Sequence, residues 1–146
     1  MTLRESIMAA VVTTLAGITL DTESVSIVRS RNANYTIADL PLIGVFQRTE
    51  NVDYEVYNKA ERDLNVDLEI LICDSDGYET DLNDIYGQAA QKLLANPTLG
   101  ITGVYDIIET QITEPTIVND ADYNIYRMVS SYMVKYRTAH DNPEVS

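Results

Sequence analysis

Residues 64–73 have the sequence Leu-Asn-Val-Asp-Leu-Glu-Ile-Leu-Ile-Cys, and this stretch decides the fold. Every second residue is apolar, while most residues between them are acidic or polar. The apolar positions are Val66, Leu68, Ile70 and Ile72. Period-two alternation is typical of a β-strand that buries one face, because successive side chains point to opposite sides of a sheet. This strand therefore needs apolar partners elsewhere in the chain.

Two amphipathic helices supply the partners. Residues 2–16 open with Thr2 and Glu5, which have the spacing of a capping box, and Gly17 is the expected stop. The apolar stripe of this helix is Leu3, Ile7, Val11 and Leu15. A second helix is expected over 80–95, before Asn96-Pro97. Its apolar face is Leu82, Ile85, Tyr86, Ala89 and Leu93.

Shorter apolar runs predict further strands at 25–29, at 41–46 beginning with Pro41, at 104–112 and at 123–137. Residues 30–38 are expected to form a loop, 74–77 a turn, 47–63 a protruding loop or hairpin tip with some strand, and 114–122 an acidic connection. Fifteen extended residues over 123–137 would span ~50 Å, so this strand is expected to bend near Ser130-Ser131 or to project.

The order helix, strands, helix, strands predicts an α+β fold. We expect a mostly antiparallel sheet with two helices packed on one face and with long hairpin or loop extensions. A single domain is expected over 1–139, followed by a polar C-terminal tail over 140–146.

Charge excludes one class of partner. The chain has 10 basic and 23 acidic residues, a formal net charge of −13, and its basic residues are scattered. Such a surface repels nucleic acid, so specific DNA or RNA binding is not expected. No apolar run is long enough to span a membrane, so a membrane partner is not expected either. Cys73, the single cysteine, is interpreted as a small buried hydrophobic residue.

No motif predicts catalysis, a metal or a cofactor. Asp74, Asp76 and Gly77 match a calcium loop only in part, because Ile72 and Asn83 stand where that loop needs ligands. His140 is the only histidine and lies in the tail, and no glycine-flanked serine or phosphate-binding glycine loop is present. We therefore expect a protein that is not an enzyme, with no catalytic, cofactor-binding or metal-binding residue.

Tyrosine is unusually frequent. The chain has 10 tyrosines and no tryptophan, and several crowd the last strand. Tyrosine is enriched at protein interfaces. Tyr123 and Tyr126 are therefore candidate interface residues, although alternate tyrosines of a strand also serve as core.

Several short patches follow one another in a fixed order along the chain. They are an opening helix from Leu3-Arg4 to Val11, the strand Leu40–Phe46, an acidic loop before Asn65–Ile70, the helix start Asp81–Ile85, Pro97–Gly100, the closing strand Tyr132–Thr138 and Asp141-Asn-Pro143. In this order of elements and patches, over nearly its whole length, the chain resembles the tail terminator proteins of long-tailed bacteriophages, the lambda-like minor tail protein family.

The resemblance implies a structural role in the virion. Such proteins are assembled in the host cytoplasm into a ring, usually a hexamer, at the head-proximal end of the tail tube. The ring stops tube polymerisation, binds the head-completion or neck proteins, and lets DNA pass through without specific binding. On this interpretation, four acidic residues of the hairpin tip would face cationic groups of the tube protein. They are Glu50, Asp53, Glu55 and Glu61.

Two alternatives remain open. Another head–tail connector, such as a neck or head-completion ring protein, would have similar size and would also be oligomeric. A small enzyme or ligand-binding domain would instead be a monomer with an enclosed pocket.

Overall fold

The computed structural model describes residues 2–29, 37–54, 58–73, 75–120 and 123–144. The first helix, α1, is Leu3–Leu15, and the Oγ1 of Thr2 accepts a hydrogen bond of 3.1 Å from the Glu5 backbone N–H. Gly17 follows the helix with a φ of +91°, a left-handed conformation that glycine adopts without steric cost. The predicted helix start and stop are thus confirmed.

Eight strands and a second helix follow α1 in the described chain. The strands are β1 Thr19–Leu20, β2 Glu23–Ser24, β3 Ser26–Arg29, β4 Leu42–Asp53, β5 Lys59–Cys73, β6 Val104–Ile112, β7 Thr116–Asp120 and β8 Tyr123–Ala139. The second helix, α2, is Tyr78–Leu94, and a 3₁₀ turn occupies Ile37–Asp39. β1 and β2 form a separate small hairpin, and the other strands build one sheet.

The sheet has the order β3-β4-β5-β8-β6, with β7 also paired to β8. Among the strand pairs of the described residues, only β3–β4 is parallel. β5 and β8, of 15 and 17 residues, pair without a register shift from Lys59–Ala139 to Cys73–Ile125. The last strand in the chain is therefore central in the sheet, with β5 on one side and β6 and β7 on the other.

Both helices pack on the same face of the sheet. The five even-numbered residues of β5 from Leu64 to Ile72, including Ile70 with no exposed surface, form one core with the apolar stripes of α1 and α2. This confirms the predicted α+β fold. A second, smaller cluster lies on the opposite face and contains Leu40, Leu42, Leu71 and Ile125, with half-buried Cys73 packed against it.

Several boundaries differ from the expectations. The stretch 47–63, expected as a loop or hairpin tip with some strand, is part of a β-hairpin with more strand than expected, because β4 continues to Asp53 and β5 begins at Lys59. The charged residues there pair across strands, so their polarity does not mark a loop. Within the expected connection 114–122, residues 116–120 form β7 along β8. β4 begins at Leu42, one residue after Pro41, and the pairing of β8 with β5 is not interrupted at Ser130-Ser131.

Candidate interaction surfaces

Glu50 lies on the helix-covered face of the sheet, in a cluster of ion pairs. Its side chain is only 7% exposed, and its carboxylate lies 3.1 Å from Nη1 of Arg62 and 3.9 Å from Nε of Arg4. The Tyr136 hydroxyl donates a hydrogen bond to the same carboxylate, and Arg62 Nε donates one of 3.0 Å to Thr138 Oγ1. The charge of Glu50 is thus compensated within the chain. Its contact with a partner stays a prediction.

Glu61 lies on the opposite face, in a row of cross-strand ion pairs that we name the charge ladder. Its acids are on β5 and its bases on β4 and β8. The pairs are Arg137 Nε–Glu61 at 2.6 Å, Lys135 Nζ–Asp63 at 3.4 Å, Arg48 Nε–Asp67 at 3.0 Å and Arg127 Nε–Glu69 at 2.8 Å. These pairs are partly exposed, so each contributes little to stability. Together, however, they neutralise charged side chains along the face of the sheet opposite the helices.

Tyr105 completes the ladder at Glu61. Its hydroxyl donates a hydrogen bond of 3.1 Å to Glu61, and the Arg137 guanidinium lies 4.7 Å from the centre of its ring. Burial and this hydrogen bond to a carboxylate raise the pKa of Tyr105 above its ordinary value. Glu61 therefore has two partners within its own chain.

Of the other candidate residues, Asp53 lies beside Glu61 and Tyr126 lies far from it. Asp53 is exposed at the end of β4, where it is paired in register with Glu61. Tyr126 is 8% exposed, and its ring stacks on Tyr78 with centres 4.2 Å apart. Tyr126 lies 11 positions along β8 from Arg137, the register partner of Glu61, roughly 35 Å along an extended strand. Tyr123 begins β8 opposite Asp120, and Glu55 lies outside the described residues.

An exposed apolar edge was missed by the sequence reasoning. Five of the nine large hydrophobic residues exposed in the described chain lie on one edge of the sheet, from Tyr105 to Val118. We name this range the β6/β7 edge. The five are Tyr105, Ile108, Ile112, Ile117 and Val118. The sequence did contain a signal for this edge. Residues 104–112 have apolar side chains on both faces of the strand, whereas a strand covered on one face needs them on that face alone.

Two open surface depressions, of about 480 and 240 Å³, lie at the two ends of α2, and their lining includes Lys92 and Glu79 but no histidine or cysteine. The His140 ring packs edge-on against the Tyr54 ring, with the two ring centres 5.2 Å apart. Among the described residues, no three His, Cys, Asp or Glu side chains are grouped to hold a metal ion. Neither described helix has the length and apolar character needed to cross a membrane.

Comparisons with known proteins give one informative result. No protein-family model matches the chain, and a search of curated protein sequences finds no match. Among solved structures, a similar chain is found in the virion of a native gene transfer agent particle. The two are 14% identical, with a TM-score of 0.61 over 93% of this chain and 95% of that one. At this identity the likeness shows that the fold is shared.

Proposed function

We propose that this chain is a structural virion protein, the tail terminator of a long-tailed phage or related particle. It forms a ring, expected to be a hexamer, at the head-proximal end of the tail tube. There it stops tube polymerisation and presents a surface to the head-completion or neck protein. The observation that carries the proposal is the fold shared along 93% of the chain with a virion component. The order of sequence patches that resembles tail terminators supports the finer assignment.

The distribution of charge is consistent with a ring through which DNA passes. Seven of the ten basic residues pair with carboxylates within the described part of the chain. Few cations are therefore left to hold phosphates, while the chain carries 23 acidic residues against 10 basic ones. Acidic walls repel passing DNA, which suits a channel without specific binding.

Capping of tail tubes tests the proposal. Purified tube protein is polymerised with and without this protein, and tube length and the occupied ends are measured by electron microscopy. We expect tubes to stop growing, with a ring at one end. Tubes that grow unchanged at saturating protein, with no ring at either end, would show that the chain is not a terminator.

A second candidate function is a neck or head-completion ring protein, which also occurs in virions and would share the oligomeric character. The same experiment separates the two, because a neck protein binds the head connector and leaves tube growth unchanged. An enzymatic role is not part of the proposal. We expect no turnover of generic ester, phosphate or glycoside substrates, and turnover abolished by His140→Ala would contradict this.

A further inference from the structure

The β6/β7 edge has the properties of an association surface. β8 is already paired along its length, so β6 and β7 form the outer border of the sheet on this side. The outward backbone N–H and C=O groups of a border strand can pair with another strand. Five half-exposed apolar side chains follow the same border, including Ile117 at 53% exposure. A long edge of this kind is covered by a partner in many β-proteins.

The charge of this edge opposes pairing with its own copy. Residues 105–118 contain three acidic residues, Asp106, Glu109 and Glu114, and no basic one. A two-fold contact between identical edges would bring six carboxylates together. Like charges across an interface are unfavourable, so the occupant must present a different surface.

The opposite border of the same sheet is such a surface. We name it the β3/β4 edge, formed by β3 and by residues 46–54. It carries three of the remaining exposed hydrophobic residues, Val28, Val52 and Tyr54. Its charged residues are Arg29 and Arg48 and the acidic Glu50 and Asp53, so its formal net charge is zero. Arg29 pairs with Glu5 of its own chain. The Arg48 side chain is 51% exposed and uses Nε for Asp67, while its guanidinium has five N–H donors in all.

We propose that the β6/β7 edge of one copy binds the β3/β4 edge of a second copy, so that the sheets of neighbouring subunits meet border to border. This rests on the proposed ring and names the surfaces that build it. Each subunit then uses one border to bind and the other to be bound, the head-to-tail arrangement that closes into a ring. The acidic border meets arginines, and apolar side chains cover one another.

Thiol cross-linking tests the two borders. In a Cys73→Ser background, Ile108→Cys and Val28→Cys are made singly and together, at positions 38% and 40% exposed. Substitutions at exposed positions disturb folding little. The proteins are treated with a flexible bis-maleimide under conditions in which the wild type sediments as a ring, with raised salt or tube ends present. We expect the double variant to give a ladder of covalent oligomers and each single variant to stay uncross-linked.

A second set of variants measures assembly without cross-linking. Ile112→Lys with Ile117→Lys should raise the protein concentration needed for half-assembly by about tenfold or more, roughly the loss of 1.4 kcal/mol of association free energy. The control is Leu94→Lys, at a residue that is also exposed (44%) but lies at the end of α2, outside both borders. Circular dichroism of each variant shows that the monomer remains folded.

The outcomes separate this inference from the function. Rings that persist with no ladder, and with no effect of the two lysines, would show that other surfaces join the subunits while the terminator proposal stands. Dimers formed by Ile108→Cys alone would show that identical edges meet, which also overturns the inference. A wild type that stays monomeric at every salt concentration, even with tube ends present, contradicts both proposals.

Discussion

Tyr136 donates a hydrogen bond to Glu50 across 86 residues of sequence, inside the domain. Tyr136 is 1% exposed and the Glu50 side chain 7%, so both groups have left water. The contact joins β8 to β4 across β5, and Arg62 on β5 completes it at 3.1 Å. Through Arg4 the same cluster reaches the first turn of α1. The distal half of the hairpin is thereby held to the helix layer.

Removal of the Glu50 charge should destabilise the fold. Glu50→Gln leaves the buried Arg62 guanidinium without its counter-ion, so the free energy of unfolding should fall on the order of 3–5 kcal/mol. The matched control is Glu114→Gln, at an exposed residue, where a change within about 0.5 kcal/mol is expected. Urea titration of both variants measures the difference. Equal midpoints would show that the cluster contributes no net stability.

Two buried hydroxyls on β8 should respond in opposite directions. Ser130 and Thr138 are both 0% exposed, but Thr138 accepts a hydrogen bond from Arg62 while the Ser130 Oγ makes none with the described residues. Ser130→Ala should therefore leave the melting temperature unchanged or raise it, since an unpaired buried hydroxyl costs about 1–3 kcal/mol. Thr138→Val should lower it. Thermal melts of the two variants make the comparison, and a marked loss of stability in Ser130→Ala would contradict it.

The sheet core should be sensitive at Ile70. This side chain has no exposed surface, so Ile70→Ala removes buried methyl groups and leaves a cavity. The free energy of unfolding should fall by roughly 2–5 kcal/mol. Ile117→Ala, at a 53% exposed residue, is the control in which a monomer should lose far less. If a denaturant titration shows an equal loss of stability in both variants, Ile70 does not lie in the core.

Alkaline pH should unfold the protein through its tyrosines. Burial, with Glu109 nearby, raises the pKa of Tyr132 from 10.0 to about 12, and burial with the hydrogen bond to Glu50 raises the pKa of Tyr136 further. A raised pKa means that the folded state favours the neutral phenol more than the unfolded state does, so ionisation of the phenol favours unfolding. Stability is therefore full below about pH 10 and falls as pH rises toward about 12. Tyr132→Phe should flatten this fall in unfolding titrations, and an unchanged slope would rule out this contribution.

Acidic residues at the hairpin tip should affect capping of tubes through charge. Reversal of Asp53 and Glu55 to lysine should weaken capping, and more strongly at low salt, where attraction to a cationic tube surface is least screened. The control is reversal of Asp76 and Glu79 at the start of α2, which changes net charge equally. If both pairs weaken capping alike, the effect comes from total charge and the tip makes no specific contact.

The sequence predicted those parts of the fold in which neighbouring residues differ in their contact with water. In β5 and α1, apolar and polar residues alternate with the period of the element, so face and partners followed directly. β7 has no such alternation, because Ile117 and Val118 are both exposed. It is a strand since β8 offers it a border to pair with. This pairing therefore depends on β8 and leaves no alternation in β7 itself.

The candidate site was harder to predict for the same reason. Glu50 and Arg62 are 12 residues apart and both belong to a charged stretch. Only the register of β4 on β5 brings them together on the helix-covered face. Composition indicated a solvated tip, whereas long-range pairing with β8 and α1 buries the carboxylate. The apolar border from Tyr105 to Val118 likewise became visible only when the strand order was known.

The central position of β8 has a consequence for synthesis. Translation produces β5, β6 and β7 before β8, yet all three make their main sheet contacts with β8. A nascent chain that has emerged only as far as β7 therefore lacks the strand that joins its two halves. β6 and β7 have β8 as their partner in the sheet, so this pairing forms only when β8 has inserted. Under the proposed head-to-tail contact, a chain without β8 presents at most the β3/β4 edge, so a ring could close only after β8 is in place.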